Sequence, residues 1–328
     1  MKKILCILMV LVMLFGLSAC SKKANTEQKP NNDTNTEVKV PTIIINTDNG
    51  KEEDTPTEPL VSIQEIQEFG KELKLYGELE DEDLSELESL LKGYGRNISL
   101  IAYSKDGSRA LAYNTSQTYF SACTIKIGYM LNICKQIDEG LADESTLLTY
   151  QQQHYHKGSG QIKYSAYGTQ YTISKLIHES LNISDNVAYK MLRDHFGFDK
   201  YNQMVTELGC TSIQLSNMWA SKAKAKDFIL VWDAVYDYFE SDGKMALHMK
   251  NACTNTPFNY GTETLVGVDY SHKSGDSFGS SASYHDAGIV WDENPYIFAV
   301  FTNSEGTQTD VSTVNRAMEI VNEVMGKK

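Results

Sequence analysis

The sequence is poor in several residue types, and each scarcity excludes a class of protein. Six cysteines in 328 residues are too few for a disulfide scaffold. The 22 glycines and 6 prolines exclude a collagen-like or mucin-like chain. Basic residues number 30 against 43 acidic ones, and the net charge of −13 argues against nucleic-acid binding, which needs a basic surface. With 41% hydrophobic and 22% charged residues, the composition is that of a globular protein.

A long hydrophobic run occurs at the amino terminus. Lys2 and Lys3 precede an apolar run from Ile4 to Leu17, which has the length of a signal peptide and is short for a membrane span. The run ends in Leu17-Ser18-Ala19-Cys20, which resembles the lipobox of bacterial lipoproteins. The resemblance implies a signal peptide over residues 1–19, lipidation of Cys20, and a cell-membrane lipoprotein on the extracytoplasmic face. An ordinary secretory signal with a chance cysteine is the alternative.

The segment that follows has little to bury. Residues 20–60 are rich in Asn, Thr, Glu, Asp and Lys, and they contain four of the six prolines. This composition predicts a lipid-anchored, disordered linker that gives the folded part reach from the membrane. The sequence therefore predicts one folded domain over residues 61–328, which we expect to be a monomer.

Acidic residues are concentrated at the start of this domain. Residues 61–95 hold ten acids and three lysines. A helical stretch is predicted from Ile63 to Leu91, with an apolar stripe formed by Leu79, Leu84, Leu87, Leu90 and Leu91. The acids are interpreted as the solvated face of this stretch.

Beyond Gly95 the hydrophobic pattern first has a period of two and then a helical period. Two short strands, one from Ile98 and one from Arg109 to Tyr113, surround an Asp-Gly turn and predict a hairpin. Helices are predicted over 123–137, 173–181, 186–195, 200–208, 226–239 and from Asp310 onward, and strands over 264–270, 287–291 and 296–302. Strands at both ends and helices between them predict an α+β fold with one antiparallel sheet and an inserted helical subdomain.

Three short motifs carry residues that are suited to chemistry. In Ser121-Ala122-Cys123-Thr124-Ile125-Lys126, the cysteine and the lysine share one helical face because they are three residues apart. Ser184-Asp185-Asn186 lies between two predicted helices, and Lys273-Ser274-Gly275 ends a predicted strand. Each motif alone is common in caps and turns. In this order, and with cysteine in place of the first serine, they match the S-x-x-K, S-D-N and K-T/S-G set of class A β-lactamases and penicillin-binding proteins.

The flanking sequence is similar to the same family. Tyr119-Phe120 precedes the first motif, Tyr171 to Ile177 precedes the second, and His285 to Val290 follows the third. The resemblance covers roughly residues 90–328. It implies a five-stranded antiparallel sheet flanked by helices, beside an all-helical subdomain, with the active site in the groove between them. It also implies an acyl-transfer hydrolase that acts on β-lactams or on peptidoglycan peptides ending in D-alanine.

By this resemblance, four residues would perform the acyl transfer. Cys123 would be the nucleophile, with Lys126 as its general base and the positive end of the helix as a further aid to thiolate formation. Ser184 would relay a proton to the leaving nitrogen. Asn186 would hold Lys126 and the substrate amide.

The third motif would bind the substrate. Lys273 and Ser274 would hold its carboxylate, and Gly275 completes the motif. The oxyanion hole would use the backbone N–H groups of Cys123 and Asp276. The resemblance implies no cofactor and no metal.

The nucleophile is the sharpest departure from the family, in which this residue is serine. A thiolate is a competent nucleophile, so Cys123 is compatible with the same chemistry. A buried structural thiol, or a disulfide with Cys210 or Cys253, is the alternative, and a disulfide would abolish nucleophilic chemistry.

Two further departures affect deacylation and substrate binding. Class A enzymes deacylate with a glutamate on an omega loop, but this chain has no glutamate between Glu207 and Glu240, so turnover should be slow. The family often adds an arginine near the third motif to clamp the substrate carboxylate. Here no arginine lies near Lys273, and Asp276 adds a negative charge.

The histidines are considered as metal ligands and as substrate contacts. His154 and His156 have no cysteine or acid at ligand spacing, so no metal site is predicted. His272 and His285 flank the proposed groove and could contact substrate, although surface positions are expected.

The rival function is a non-catalytic lipoprotein that captures cell-wall peptide or β-lactam. The retained lysines, serine and asparagine of the motifs argue against it, because a decayed site does not need them.

Overall fold

The computed structural model describes residues 61–254, 256–265 and 267–326. The predicted signal peptide, the lipidation site at Cys20 and the predicted linker lie outside these residues. No helix within the described ranges is long and apolar enough to cross a membrane.

Strands and helices are both numerous in the described residues. The strands are β1 Leu73–Gly77, β2 Ile98–Ser104, β3 Arg109–Tyr113, β4 Tyr119–Phe120, β5 Leu147–Thr149, β6 Gln170–Thr172, β7 Lys222–Ala223, β8 Asp269–His272, β9 Gly275–Ser277, β10 Ser283–Trp291 and β11 Tyr296–Thr302. The α-helices are α1 Ser85–Gly93, α2 Lys126–Asp138, α3 Ile173–Asn182, α4 Asn186–Phe196, α5 Asp199–Glu207, α6 Ala225–Phe239, α7 Ala246–Thr254 and α8 Gln308–Met325.

One antiparallel sheet is built from both ends of the domain, as the sequence predicts. Its strand order is β1-β3-β2-β11-β10-β8, and β9 pairs with the other half of β10. The ladder between β2 and β11 runs from Tyr296↔Ser104 to Thr302↔Ile98 and joins the carboxy-terminal strands to the amino-terminal hairpin. The predicted α+β fold with an antiparallel sheet is therefore confirmed.

Helices cover both faces of this sheet. Successive side chains of a strand point to opposite faces, so Leu100 and Val300 pack with α1 and α8, whereas Ile101 and Phe301 pack with α6 and the helical region. Consequently β2 and β11 are buried along their whole lengths. Burial on both sides fixes the register of these strands, since a shift by one residue would exchange the two faces.

The helices between β3 and β8 form the second half of the molecule around α2. This helix is almost wholly buried because α3, α5 and α6 pack against it. The first motif lies where α2 begins, the second between α3 and α4, and the third between β8 and β9. The three motifs therefore meet where the helical half contacts the edge of the sheet.

The amino-terminal segment differs from the prediction. The prediction of a helical stretch from Ile63 to Leu91 is wrong over most of its length. Leu73–Gly77 is the edge strand β1, and the α-helix of this segment comprises only Ser85–Gly93. Leu73-Lys74-Leu75-Tyr76 alternates apolar and polar residues, which suits a strand. β1 pairs with β3, and the sheet has seven strands when β8 and β9 are counted separately, two more than the five that the family resemblance implies.

Two elements in the carboxy-terminal half also differ. The strand predicted over 264–270 is displaced, since β8 comprises Asp269–His272. The helix Ala246–Thr254 was not predicted, because its apolar residues form only a weak stripe. It packs between α3 and β8, where Met249 and Cys253 are fully buried.

Candidate active site

The nucleophile candidate sits on a tight turn. Cys123 belongs to a short 3₁₀ turn, Ala122–Ile125, that leads directly into α2. Ala122 has a φ of 46°, a left-handed conformation that costs a non-glycine residue of the order of 1 kcal/mol. The Cys123 side chain is half-buried and is a free thiol, as are Cys134, Cys210 and Cys253 among the described cysteines. The disulfide alternative for Cys123 is therefore not what the structure shows.

The turn is tied to the sheet through the carbonyl of Phe120. Ser283 Oγ and His285 Nε2 both donate to this oxygen, at 3.0 and 2.8 Å. His285 Nδ1 accepts from the Thr302 N–H at 3.1 Å, so the two bonds together select the neutral Nε2–H tautomer. Burial accordingly lowers the pKa of His285 to about 4. The expectation of a surface histidine is wrong here, because the ring is fully buried and holds the nucleophile turn in place.

Lys126 is fully buried beneath the nucleophile. Its Nζ donates to the Ser184 carbonyl at 2.7 Å, to Ser184 Oγ at 3.2 Å and to Asn186 Oδ1 at 2.7 Å. Three acceptors match the three N–H groups of an ammonium. Burial lowers its pKa to about 8, so the group can release its proton close to neutral pH.

The thiol and the ammonium meet at one amide oxygen. Cys123 Sγ lies 3.8 Å from Asn186 Oδ1, the atom that also accepts from Lys126. Burial opposes ionisation of the thiol, but the positive charges of Lys126 and Lys273 outweigh it and hold the pKa of Cys123 below its ordinary value. The arrangement therefore favours a thiolate beside an ammonium.

The second motif is held in shape by Asp185. One carboxylate oxygen caps α4 by accepting from the N–H groups of Val187 and Ala188, both at 2.9 Å. The other accepts from the N–H groups of Gln161 and Ile162, at 2.6 and 2.9 Å. The preceding residue of the motif, Ser184, has a φ of 55°, and these bonds offset the cost of that conformation.

The Gly158-Ser159-Gly160 turn supports the same motif, a role that the sequence analysis missed. A Cβ on Gly160, whose φ is 103°, would lie 2.2 Å from the Asp185 carboxylate, and one on Gly158 would lie 2.5 Å from Asn186 Nδ2. The Ser159 carbonyl accepts from the Asn186 N–H at 3.1 Å. Two glycines separated by a single residue are the signal in the sequence for this close approach of the backbone.

The strand that carries the third motif approaches the nucleophile turn closely. A Cβ on Gly275 would lie 2.7 Å from the Cys123 backbone nitrogen and 2.8 Å from that of Thr124. Only glycine permits this approach, and it brings the Cys123 N–H to the start of β9. Lys273 lies two residues before Gly275 and is fully buried. Its Nζ donates to the Ser274 carbonyl at 2.7 Å, and burial lowers its pKa.

The segment 256–261, which lies outside the three motifs, packs against the third motif and forms one wall of the site with it. Ser274 Oγ donates to the Phe258 carbonyl at 3.0 Å, and Tyr260 OH donates to Asp276 Oδ1 at 3.1 Å. Asp286 in turn accepts from the backbone N–H of Tyr260 at 3.2 Å and of Gly261 at 3.0 Å. The sequence gives no signal for these contacts, because the segment 256–261 has no regular hydrophobic pattern.

His272 also differs from the prediction. It is fully buried rather than on the surface, and its Nδ1 donates to the Asp286 carboxylate at 2.8 Å. The ring therefore anchors the carboxylate that orients the segment around Tyr260. His272 and His285 both support the site from inside the protein.

The loop between α5 and α6 contains no acidic residue. Arg193, which is mostly buried, organises it by donating to the carbonyls of Ser216, Met218 and Trp219, at 2.9, 2.8 and 3.0 Å. The Trp219 ring packs edge-on against Tyr189, whose own ring lies 5.5 Å from Lys126 Nζ. An aromatic surface therefore lies on this side of the buried lysine.

Comparisons with solved structures agree with this fold. PBP-A, in a mutant form described as an acyl-enzyme complex with penicillin G, is 19% identical, with a TM-score of 0.67 over 73% of this chain and 94% of that chain. A β-lactamase from Sphaerobacter thermophilus is 19% identical, with a TM-score of 0.67 over 74% and 98%. A class A β-lactamase from Mycobacterium abscessus is 17% identical, with a TM-score of 0.63 over 74% and 99%.

The fold is thus that of β-lactamases and penicillin-binding proteins. A family model described as the β-lactamase enzyme family matches residues 84–325, and the chain belongs to this family. A search of curated proteins finds no match.

Proposed function

We propose that the protein is a β-lactamase-like hydrolase that transfers an acyl group to Cys123. The observation that carries this proposal is the position of Asn186 Oδ1, which lies 3.8 Å from Cys123 Sγ and 2.7 Å from Lys126 Nζ. A nucleophile and a proton carrier arranged around one oriented acceptor are the elements that covalent catalysis requires. β-Lactams and peptidoglycan peptides ending in D-alanine are the proposed substrates.

The first step forms a thioester. Lys126 already holds the proton of the Cys123 thiol as an ammonium, and the thiolate adds to the carbonyl carbon of the substrate. The carbonyl oxygen becomes an oxyanion, which the N–H groups of Cys123 and Asp276 stabilise. The C–N bond then breaks, and the leaving nitrogen takes a proton from Lys126 through Ser184 Oγ, which lies 3.2 Å from Nζ.

The second step is hydrolysis of this thioester. Water adds to the same carbonyl carbon, the C–S bond breaks, and the proton of the water returns to the thiolate. No carboxylate in residues 208–224 can serve as the base for this water. General-base assistance is worth ~10²–10⁴-fold in rate, so we propose that deacylation is slow.

Intact mass measurement tests the proposal. A soluble chain of residues 61–328 is incubated with a penicillin under reducing conditions, alongside Cys123→Ala and, as a matched control, Cys134→Ala, whose buried thiol lies on α2. The unchanged protein and Cys134→Ala should each gain the mass of one penicillin, and this adduct should persist for hours. Cys123→Ala should show no adduct. An adduct that disappears rapidly with release of hydrolysed drug would support acylation and contradict slow deacylation.

The opposite outcome has a clear meaning. If neither adduct nor hydrolysis occurs, acylation by β-lactams is contradicted and the non-catalytic binding function gains support. A Cys123→Ser variant then separates the two, because higher activity with serine would indicate a groove shaped for a serine nucleophile.

The proposed location rests on the sequence alone. Leu17-Ser18-Ala19-Cys20 supports a lipid anchor at Cys20 and an extracytoplasmic site of action. A full-length Cys20→Ala variant should lose the mass of the attached lipid and leave the membrane fraction. Retention of both would contradict the anchor.

A further inference from the structure

The wall of the site that is formed by residues 273–276 carries both signs of charge. Lys273 contributes a buried ammonium and Asp276 contributes a half-buried carboxylate only three residues away. Within the described residues these two groups form no ion pair within 4 Å, because Lys273 Nζ instead donates to the Ser274 carbonyl. The wall therefore presents a donor and an acceptor with no net charge.

Asp276 lies next to the point at which the strand meets the nucleophile. Gly275, the residue before it, is packed against the backbone nitrogen of Cys123. Asp276 pairs with Tyr284 of β10. The negative charge of Asp276 is close enough to the thiol to oppose its ionisation. A substrate that reaches Cys123 must therefore pass within the field of this carboxylate.

The carboxylate is held in one orientation. Tyr260 OH donates to Oδ1 at 3.1 Å, and the Tyr260 ring stacks on Tyr284 with 4.7 Å between ring centroids. This is the one side-chain hydrogen bond of Asp276 among the described residues. Its remaining acceptor capacity is free for a donor on a ligand, since an ionised carboxylate can accept about four hydrogen bonds.

We propose that Asp276 is a specificity-determining residue that makes the groove select an acyl substrate with an uncharged carboxamide, in preference to a free carboxylate, beside the scissile bond. The inference rests on the proposed function and narrows its substrate class. A carboxamide offers its oxygen to the Lys273 side and its N–H₂ to Asp276, whereas a carboxylate can interact with Lys273 but has no donor for Asp276 and is repelled by that residue. Amidated peptides are then better substrates than penicillins or peptides with a free terminal carboxylate.

The size of the effect follows from one unit charge at short range. A repulsion across several ångströms in a partly solvated groove changes a rate by about tenfold. Removing the charge also changes the reactivity of the Cys123 thiolate. The informative quantity is therefore a ratio of two probes that react with the same thiol, because the intrinsic reactivity of the thiol cancels in that ratio.

The experiment compares two acyl-peptide thioesters that are identical except for a terminal carboxamide or carboxylate. Rates of Cys123 acylation are measured for the unchanged protein, for Asp276→Asn and for a control, Asp269→Asn, whose exposed side chain lies at the start of β8. The unchanged protein should prefer the carboxamide, and Asp276→Asn should shift the ratio about tenfold towards the carboxylate. The control ratio should stay within twofold.

A second pair of probes separates this inference from the proposed function. Iodoacetamide and iodoacetate alkylate a free thiol without any acyl transfer, and Asp276→Asn should raise the relative rate of iodoacetate severalfold. If neither thioester acylates the protein, the proposed function fails together with its substrate class. If acylation occurs but Asp276→Asn leaves both ratios within twofold, or the unchanged protein prefers the carboxylate, the role of Asp276 is overturned.

Discussion

The two walls of the groove each contain a buried lysine, yet the surroundings of the two lysines differ. On the helical wall, Lys126 donates to three oxygens that belong to the second motif. On the strand wall, Lys273 donates to the carbonyl of the adjacent residue, and this is the one hydrogen bond of its Nζ among the described residues. Burial lowers the pKa of both groups. This contrast supports the proposal that the helical wall moves protons and the strand wall binds substrate.

The largest expected effect comes from removing the lysine of the helical wall. Lys126→Met keeps much of the side-chain volume but removes the charge that stabilises the Cys123 thiolate. Acylation should fall by ~10²–10⁴-fold, and the pKa of the thiol should rise. Rates of acylation and of iodoacetamide alkylation as a function of pH measure the two effects. Lys273→Met is the matched control, and an equal loss in both variants would erase the contrast between the walls.

A second prediction concerns the stability of the helical wall. Asp185→Ala removes the acceptor of four backbone N–H groups and leaves buried donors without partners. The free energy of unfolding should fall by about 2–4 kcal/mol, which urea denaturation measures. Asp269→Ala, at an exposed position of β8, should change it by less than about 0.5 kcal/mol. Similar small losses in both variants would show that Asp185 is not the residue that organises this wall.

The smallest effect is the dependence on pH. Lys126, with a pKa of about 8, loses its proton as the pH rises through that value, and acylation then lacks the proton that the leaving nitrogen needs. The rate should fall by about tenfold per unit above pH 8 and should also fall in acid, where the thiol becomes protonated. Acylation that continues to rise from pH 8 to 10 would contradict this role of the ammonium.

Much of the fold and the main site residues could be predicted from local patterns. The hairpin around the Asp-Gly turn follows from a period of two, and the strand Tyr296–Thr302 follows from a short run of apolar residues. The structure brings Cys123, Lys126 and Asn186 together because short motifs fix each of them on its own element. Their catalytic roles remain predictions.

What could not be predicted depends on contacts between distant parts of the chain. The edge strand Leu73–Gly77 lies in a stretch for which the spacing of the leucines predicts a helix, and its pairing with β3 decides its conformation. His272 and His285 have no local feature that marks them as buried, and each is explained by a partner, Asp286 or Phe120, on another element. Such pairings overrule local propensity.

The edge strand β1 has a mechanical consequence. The described chain enters the fold at Val61, whose N–H donates to the Gly107 carbonyl at 2.9 Å, and then forms β1 at the sheet edge opposite β8. If the chain is held at Cys20, as we propose, a pull on this tether is borne first by that bond and by the β1–β3 ladder. Two strands, β2 and β11, separate this ladder from β10. The tension is absorbed at the edge of the sheet that lies farthest from the groove.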